Sequence, residues 1–209
     1  ILLILLLFVF LPSFGQQDSQ YTQYMYNTMD INPGYTATRG VASILGMYRR
    51  QWVGLDGAPK TGSFSAQTPI SRKGQGLGIV IVNDQIGPSQ ETIAKVNYSY
   101  PVKISEDVKL SFGVSVSANF IDINFNKLTI NDDNDNQLTG TINNFSPNIG
   151  AGGYFYSNKW YAGLSVPNFL ETKFYDDVKT SLVSEKMHFY MIGGYVFELS
   201  YLLKFKPAF

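Results

Sequence analysis

Ser146 to Leu170 reads SPNIGAGGYFYSNKWYAGLSVPNFL, two alternating arms joined by the polar turn Ser157-Asn158-Lys159. Side chains of a strand alternate with period two. On the first arm Ile149, Ala151, Gly153 and Phe155 therefore share one face, and Gly150, Gly152, Tyr154 and Tyr156 the other. On the second arm Trp160, Ala162, Leu164 and Val166 oppose Tyr161, Gly163 and Ser165. The apolar face suits lipid, and the other holds Gly, Ser and Tyr where a soluble sandwich would place a packed aliphatic core. This hairpin decides the fold: an all-β, transmembrane, antiparallel up-and-down β-barrel of the outer membrane.

The rest of the chain extends the pattern on both sides. Val108 to Phe120 alternates Val108, Leu110, Phe112, Val114, Val116, Ala118 and Phe120 against Lys109, Ser111, Gly113, Ser115, Ser117 and Asn119. Its length exceeds a usual globular strand and suits the roughly 9 to 11 tilted residues that cross a bilayer. Upstream, Thr92 to Val102 sets Ala94, Val96, Tyr98 and Tyr100 against Lys95, Asn97 and Ser99, and Gly76 to Val82 is apolar on both faces. Val41 to Arg50 and Thr61 to Thr68 complete the early strands, Met187 to Glu198 gives an eighth, and a ninth begins near Ser200.

The connections alternate between long and short. The long ones are Gln51 to Lys60, Asn83 to Gln90, Asp122 to Asn144 and Glu171 to Lys186. Between them lie the short turns Pro69 to Gly74, Lys103 to Asp107 and Ser157 to Lys159. Outer-membrane barrels put long loops outside and tight turns in the periplasm. Loops near Asp56, Gly87, Asp133 and Asp176 are then expected outside, and Trp160 and Tyr161 at the periplasmic aromatic belt.

Composition agrees. The chain has 209 residues, 14 Tyr, 15 Phe and 19 Gly, 15% charged residues and no net charge. Nothing in it provides a basic footprint for nucleic acid. With no Cys there are no disulfide staples and no thiolate chemistry.

Residues 1–15 open on ILLILLLFVFLPSF, an apolar run too short to span a bilayer as a helix, which reads as a Sec-type signal peptide lacking its own start and cleaved after Gly15. Residues 16–40 are polar and Tyr-rich, punctuated by Asn32-Pro33-Gly34, and read as a periplasmic lead-in or plug. Residues 41–209 are the barrel domain, expected to be truncated at its C-terminus. About eight or nine strands would then belong to a barrel of roughly twelve to fourteen.

The hairpin, together with QYMYNTMDINPGYTATRG upstream and the YRRQW that ends strand one, resembles the PorP/SprF family of outer-membrane proteins. The residues carrying the likeness are Asn32 and Pro33; Arg50, Gln51 and Trp52; Asn158 and Lys159; and Gly163, Leu164, Ser165, Val166 and Pro167. The resemblance covers nearly the whole chain after the signal. It implies a component of type IX protein secretion and gliding motility in a Gram-negative outer membrane. Its partners would be outer-membrane lipids and either the periplasmic ring and lipoprotein components or a secreted adhesin. A porin-like or hydrophobic-solute channel is the alternative.

No catalytic or cofactor site is expected. His188 is the sole histidine; with Met187, Phe189 and Met191 toward lipid, it shares the lumen side with Tyr190 and Glu198 near the outer rim, with no adjacent Ser and acid for a triad. Asp132, Asp133 and Asp135 have the oxygen density of a calcium loop but lack the Gly and the bidentate Glu of that pattern, and read as a solvated loop. With Phe174, Tyr175 and Asp176 they are the candidate partner-binding residues of the external loops. Arg49 and Arg50 end strand one pointing to opposite faces, one into the lumen and one to the interface. The Gly150 to Gly153 run lacks a P-loop lysine and lies within a strand, which rules out a phosphate loop.

Overall fold

The computed structural model describes residues 26–125, 140–170, 172–173, 184–185, 187–201 and 203–209. The candidates Asp132, Asp133, Asp135, Phe174, Tyr175 and Asp176, and the signal segment 1–15, lie outside them.

Eight strands form one antiparallel sheet: β1 (Ser43–Arg50), β2 (Lys60–Pro69), β3 (Gly76–Ile86), β4 (Ser89–Lys103), β5 (Lys109–Asn124), β6 (Thr141–Tyr156), β7 (Trp160–Val166) and β10 (Tyr190–Tyr195). From β1 to β7 each pairs with its chain neighbour, β7 then pairs with β10, and the sheet curls into a half-barrel with β1 and β10 at its edges. The two-residue strands β8 (Thr172–Lys173) and β9 (Ser184–Glu185) pair with each other, as do β11 (Phe197–Ser200) and β12 (Leu203–Phe205). Among the described residues no helix is long and apolar enough to cross a membrane, a statement that leaves crossing by strands open.

The two faces are inverted relative to a soluble sheet. Outward-facing Val114, Val116 and Leu164 are more than half exposed, while inward-facing Ser111, Ser115, Ser117 and Asn97 are buried. An apolar outer face and a polar inner one is the arrangement that hydrocarbon outside demands.

The ladders depart from the sequence reading in three places. Asn83 to Gln90 is not a long loop: β3 and β4 stay paired to Ile86 and Ser89, leaving the tight turn Gly87-Pro88, with Gly87 at φ +56°. The polar residues continue the period of two and bond across strands, Asn83 Nδ2 to Thr92 Oγ1 at 2.7 Å and Thr61 Oγ1 to Asp84 at 2.5 Å. The strict alternation of long and short connections therefore breaks here. The insertion expected over Asp122 to Asn144 is also narrower, since the β5–β6 ladder runs out to Asn124 opposite Thr141.

The third departure is at the eighth strand of the sheet, which ends at Tyr195, short of Glu198. Val196 N still donates to the Lys159 carbonyl, one position beyond the Tyr195–Trp160 pair, and after it Phe197–Ser200 leaves the sheet to pair with Leu203–Phe205. The ninth strand expected near Ser200 does not extend the sheet. The free edge of β10 is met by residues 207–209: Gly193 and Phe209 exchange both backbone bonds at 3.0 Å, and Tyr195 N donates to the Pro207 carbonyl. Pro207 offers only its acceptor there, so its missing N–H costs nothing.

The core of this molecule is not a second sheet layer. A single helical turn, Thr28–Ile31, and a 3-10 turn, Pro33–Tyr35, lie against the inner faces of β3 to β7. Fully buried Met29 packs on Val80 and Val82, with Tyr35 and Ile93 beside them. This is why Gly76 to Val82 is apolar on both faces: Leu77, Ile79 and Ile81 face outward, and Val80 and Val82 meet Met29. Met29→Ala is expected to remove about 2–5 kcal/mol from this contact. A lower midpoint for loss of the heat-modifiable folded band on a gel would report it, and an unchanged midpoint would count against a packed Met29.

Candidate functional site

The candidate site is the seat that the inner sheet face makes for residues 27–38. A segment with so few internal bonds has backbone groups to satisfy, and buried ones need partners. They come from strand side chains whose inward direction follows from the alternation of each strand. Asn97 Nδ2 donates to the Met29 carbonyl (3.0 Å), Ser165 Oγ to that of Ile31 (2.7 Å) and Ser99 Oγ to that of Thr36 (2.7 Å). Gln67 Oε1 accepts from Ala37 N at 2.7 Å, and Asn27 Nδ2 reaches Ser63 Oγ. Strands β2, β4 and β7 thus all hold the segment through polar side chains.

Lys95 adds the one buried charge pair among the described residues. Its Nζ donates to the Asp30 carboxylate at 2.9 Å and to the Asp30 carbonyl at 2.6 Å, with side-chain exposures of 8% and 15%. Ammonium and carboxylate are each compensated, which is the condition under which such a pair survives burial.

Asn32 is the pivot of the seat. It is fully buried; its Oδ1 accepts from Gly34 N, closing the 3-10 turn, and its Nδ2 donates to the Gly153 carbonyl at 3.1 Å. Pro33 follows at the first position of that turn, where no N–H is required. Glycines make the close approach possible. A Cβ on Gly113 would overlap the Pro33 carbonyl and Gly34 N, and one on Gly152 would overlap Asn32 Oδ1. Tyr35 stands edge-on to Tyr154, ring centroids 5.3 Å apart.

The structure gathers some of the residues singled out from sequence and separates others. Asn32, Pro33, Gly163 and Ser165 come together at the seat, where Gly163 is backed by Asn32 Nδ2. Leu164 points outward, Val166 is buried, and the carbonyl of Pro167 packs on Gly150. Arg50, Gln51 and Trp52 lie apart, where β1 runs into the connection to β2. Gln51 N bonds the Pro59 carbonyl there, and Trp52 is exposed with φ +46°. Arg49 faces inward and Arg50 outward, as their adjacency requires. Asn158 and Lys159 sit at the opposite end, Lys159 with Glu198 at 3.7 Å.

Two sequence expectations are corrected. Glu198 does not join His188: it lies at the short-turn end beside Lys159, whereas His188 precedes the far end of β10, because the extended strand Tyr190–Tyr195 lies between them. Of the expected belt residues only Trp160 takes the outer face, edge-on to Phe155, while Tyr161 turns inward to stack on Tyr154. Sequence reasoning missed Lys95, Asn97, Ser99 and Gln67 as anchors. Their alternation was visible, but inward polarity reads equally well as a wet lumen.

No curated protein and no solved structure matches the chain. The family described as type IX secretion system membrane protein PorP/SprF matches residues 13–209, nearly its whole length. The inverted sheet and that match agree, and the chain belongs to the PorP/SprF family of type IX secretion system membrane proteins.

Proposed function

We propose that this chain is a non-enzymatic outer-membrane β-barrel component of type IX secretion and gliding that holds protein partners, its lumen closed by its own segment 26–40. The partners are periplasmic machinery at the short-turn end or a secreted adhesin at the long-loop end. The observation that carries this reading is the seat: inward Ser63, Gln67, Lys95, Asn97, Ser99 and Ser165, with the Gly153 carbonyl, bond residues 27–38 from four strands. A pore whose polar lining is already bonded to protein offers solutes little path.

The rival reading, a porin-like or hydrophobic-solute channel, is separated by conductance. The intact chain in planar bilayers is expected to remain closed, and a variant lacking residues 26–40 to pass current. Large steady currents from the intact protein would reject the docking role in favour of a channel.

A further inference from the structure

We propose that the short-turn mouth of the half-barrel is a binding site for an acidic peptide segment of a partner protein, formed by a tyrosine ladder edged with lysines. This rests on the docking reading above and adds to it a face, residues and the charge of the partner.

Lys103 and Lys109 are directly opposed at the ends of β4 and β5. Counting by twos from buried Ser99 and Ser111 puts both on the concave side, while Val102 and Leu110 take the outer face. Like charges set opposite one another across a ladder cost stability unless something anionic lies between them. The two ion pairs among the described residues are Lys95–Asp30 and Lys159–Glu198, so Glu106 and Asp107 of the same turn make no direct ion pair with these lysines.

Lys109 is also the cross-strand partner of Tyr156. Tyr156 packs on Tyr154 at 5.5 Å, Tyr161 stacks on Tyr154 at 5.7 Å, and Lys206 Nζ lies 5.1 Å over the Tyr161 ring. The seated segment covers the inner end of this ladder through Tyr35 and leaves Tyr156 and Tyr161 half-exposed. Arg72 and Lys73, exposed in the neighbouring turn, strengthen the positive field. At the opposite rim the described charges nearly balance, Arg49, Arg50 and Lys60 against Asp56, Asp84, Glu91 and Asp122. At the short-turn mouth the described cations Arg72, Lys73, Lys103, Lys109 and Lys159 outnumber the acids Glu106, Asp107 and Glu198, although the chain as a whole has no net charge.

That geometry selects among anions. Lipid headgroups would be met from the outer face, where these lysines do not point. A small inorganic anion has no use for the flat faces of three rings. An extended acidic peptide satisfies both, its carboxylates on the ammonium groups and its backbone and side chains on the rings.

The test is the full chain in nanodiscs of zwitterionic lipid, titrated with a dye-labelled oligoglutamate peptide and followed by anisotropy. Saturable, salt-sensitive binding is expected, with none for oligolysine. The pair Lys103→Glu with Lys109→Glu is expected to weaken it by about tenfold or more, and Tyr156→Leu by a few-fold, whereas Arg50→Glu at the other rim leaves it unchanged. All the charge reversals are at exposed positions and leave packing intact. No binding, equal loss with Arg50→Glu, or complete competition by inorganic phosphate with no effect of Tyr156→Leu would each overturn the proposal. Peptide binding by a protein that also conducts would retain this site and sink the docking reading. A closed protein that ignores the peptide would do the reverse.

Discussion

Lys95→Met is expected to release the seated segment more than any other single side-chain change. Methionine fills a similar volume but abandons the Asp30 carboxylate, and removing one partner of a buried pair costs about 3–5 kcal/mol because the other charge remains uncompensated. Asp30 keeps 15% side-chain exposure and can turn partly toward water, which favours the lower end of that range. Two decades in the docking equilibrium follow from about 3 kcal/mol.

The absence of Cys makes this readable. Thr36→Cys places a thiol at a position 1% exposed, whose hydroxyl has no partner to lose, so its maleimide labelling rate reports how often the segment leaves. In the Lys95→Met background that rate is expected to rise about 100-fold, in line with an opening equilibrium. Adding Asp30→Asn should recover part of the loss, since the stranded charge is gone. An unchanged labelling rate in Lys95→Met would show that the pair does not fasten the segment.

Gly113→Val is the second large effect and acts by volume rather than charge. The new Cβ would occupy the space of the Pro33 carbonyl and Gly34 N, both backbone, so no side-chain rotation relieves it. Overpacking costs about 1–3 kcal/mol where neighbours can adjust. Here they cannot without lifting the turn that Asn32 closes, so the segment is expected to leave while the strands persist. Far-UV circular dichroism should be unchanged, and the Thr36→Cys label should react as it does in the Lys95→Met background. Gly153→Ala is the matched control: one ladder position from Gly152 and facing outward, it has nothing within 4 Å of a new Cβ. If both substitutions behaved alike, the seat would not be a glycine-gated contact.

Much of the sheet was legible because lipid and lumen impose opposite polarity on successive residues, and β5 shows that rule along its length. The signal failed where polarity and pairing part company. Asn83 to Gln90 has loop composition yet stays in the ladder, since cross-strand bonds of Asn83 and Asp84 replace apolar burial as the reason to remain extended. At the other end, Met187 to Glu198 looks like one strand, but after Val196 the chain pairs Phe197–Ser200 with Leu203–Phe205 while residues 207–209 take the β10 edge, a change of partner without a local signature.

The seat was half legible. Asn32-Pro33-Gly34 announced a turn, and Gly150 to Gly153 a close approach. Nothing in the spacing said that the two would meet, because Asn32 and Gly153 are 121 residues apart. Ser and Asn on an inner face look the same in sequence whether water or a backbone carbonyl receives their hydrogen bonds.

That separation orders events in time. The segment emerges first, yet Ile31 and Asn32 find their acceptor and donors only on β6 and β7, up to 134 residues later. Contacts of such span form late, after the entropy of closing the intervening chain has been met. The bonds to β2 and β4 can form early, but the seat is completed only when β6 and β7 have taken their register, so full docking of the segment is expected to mark the end of assembly of these strands.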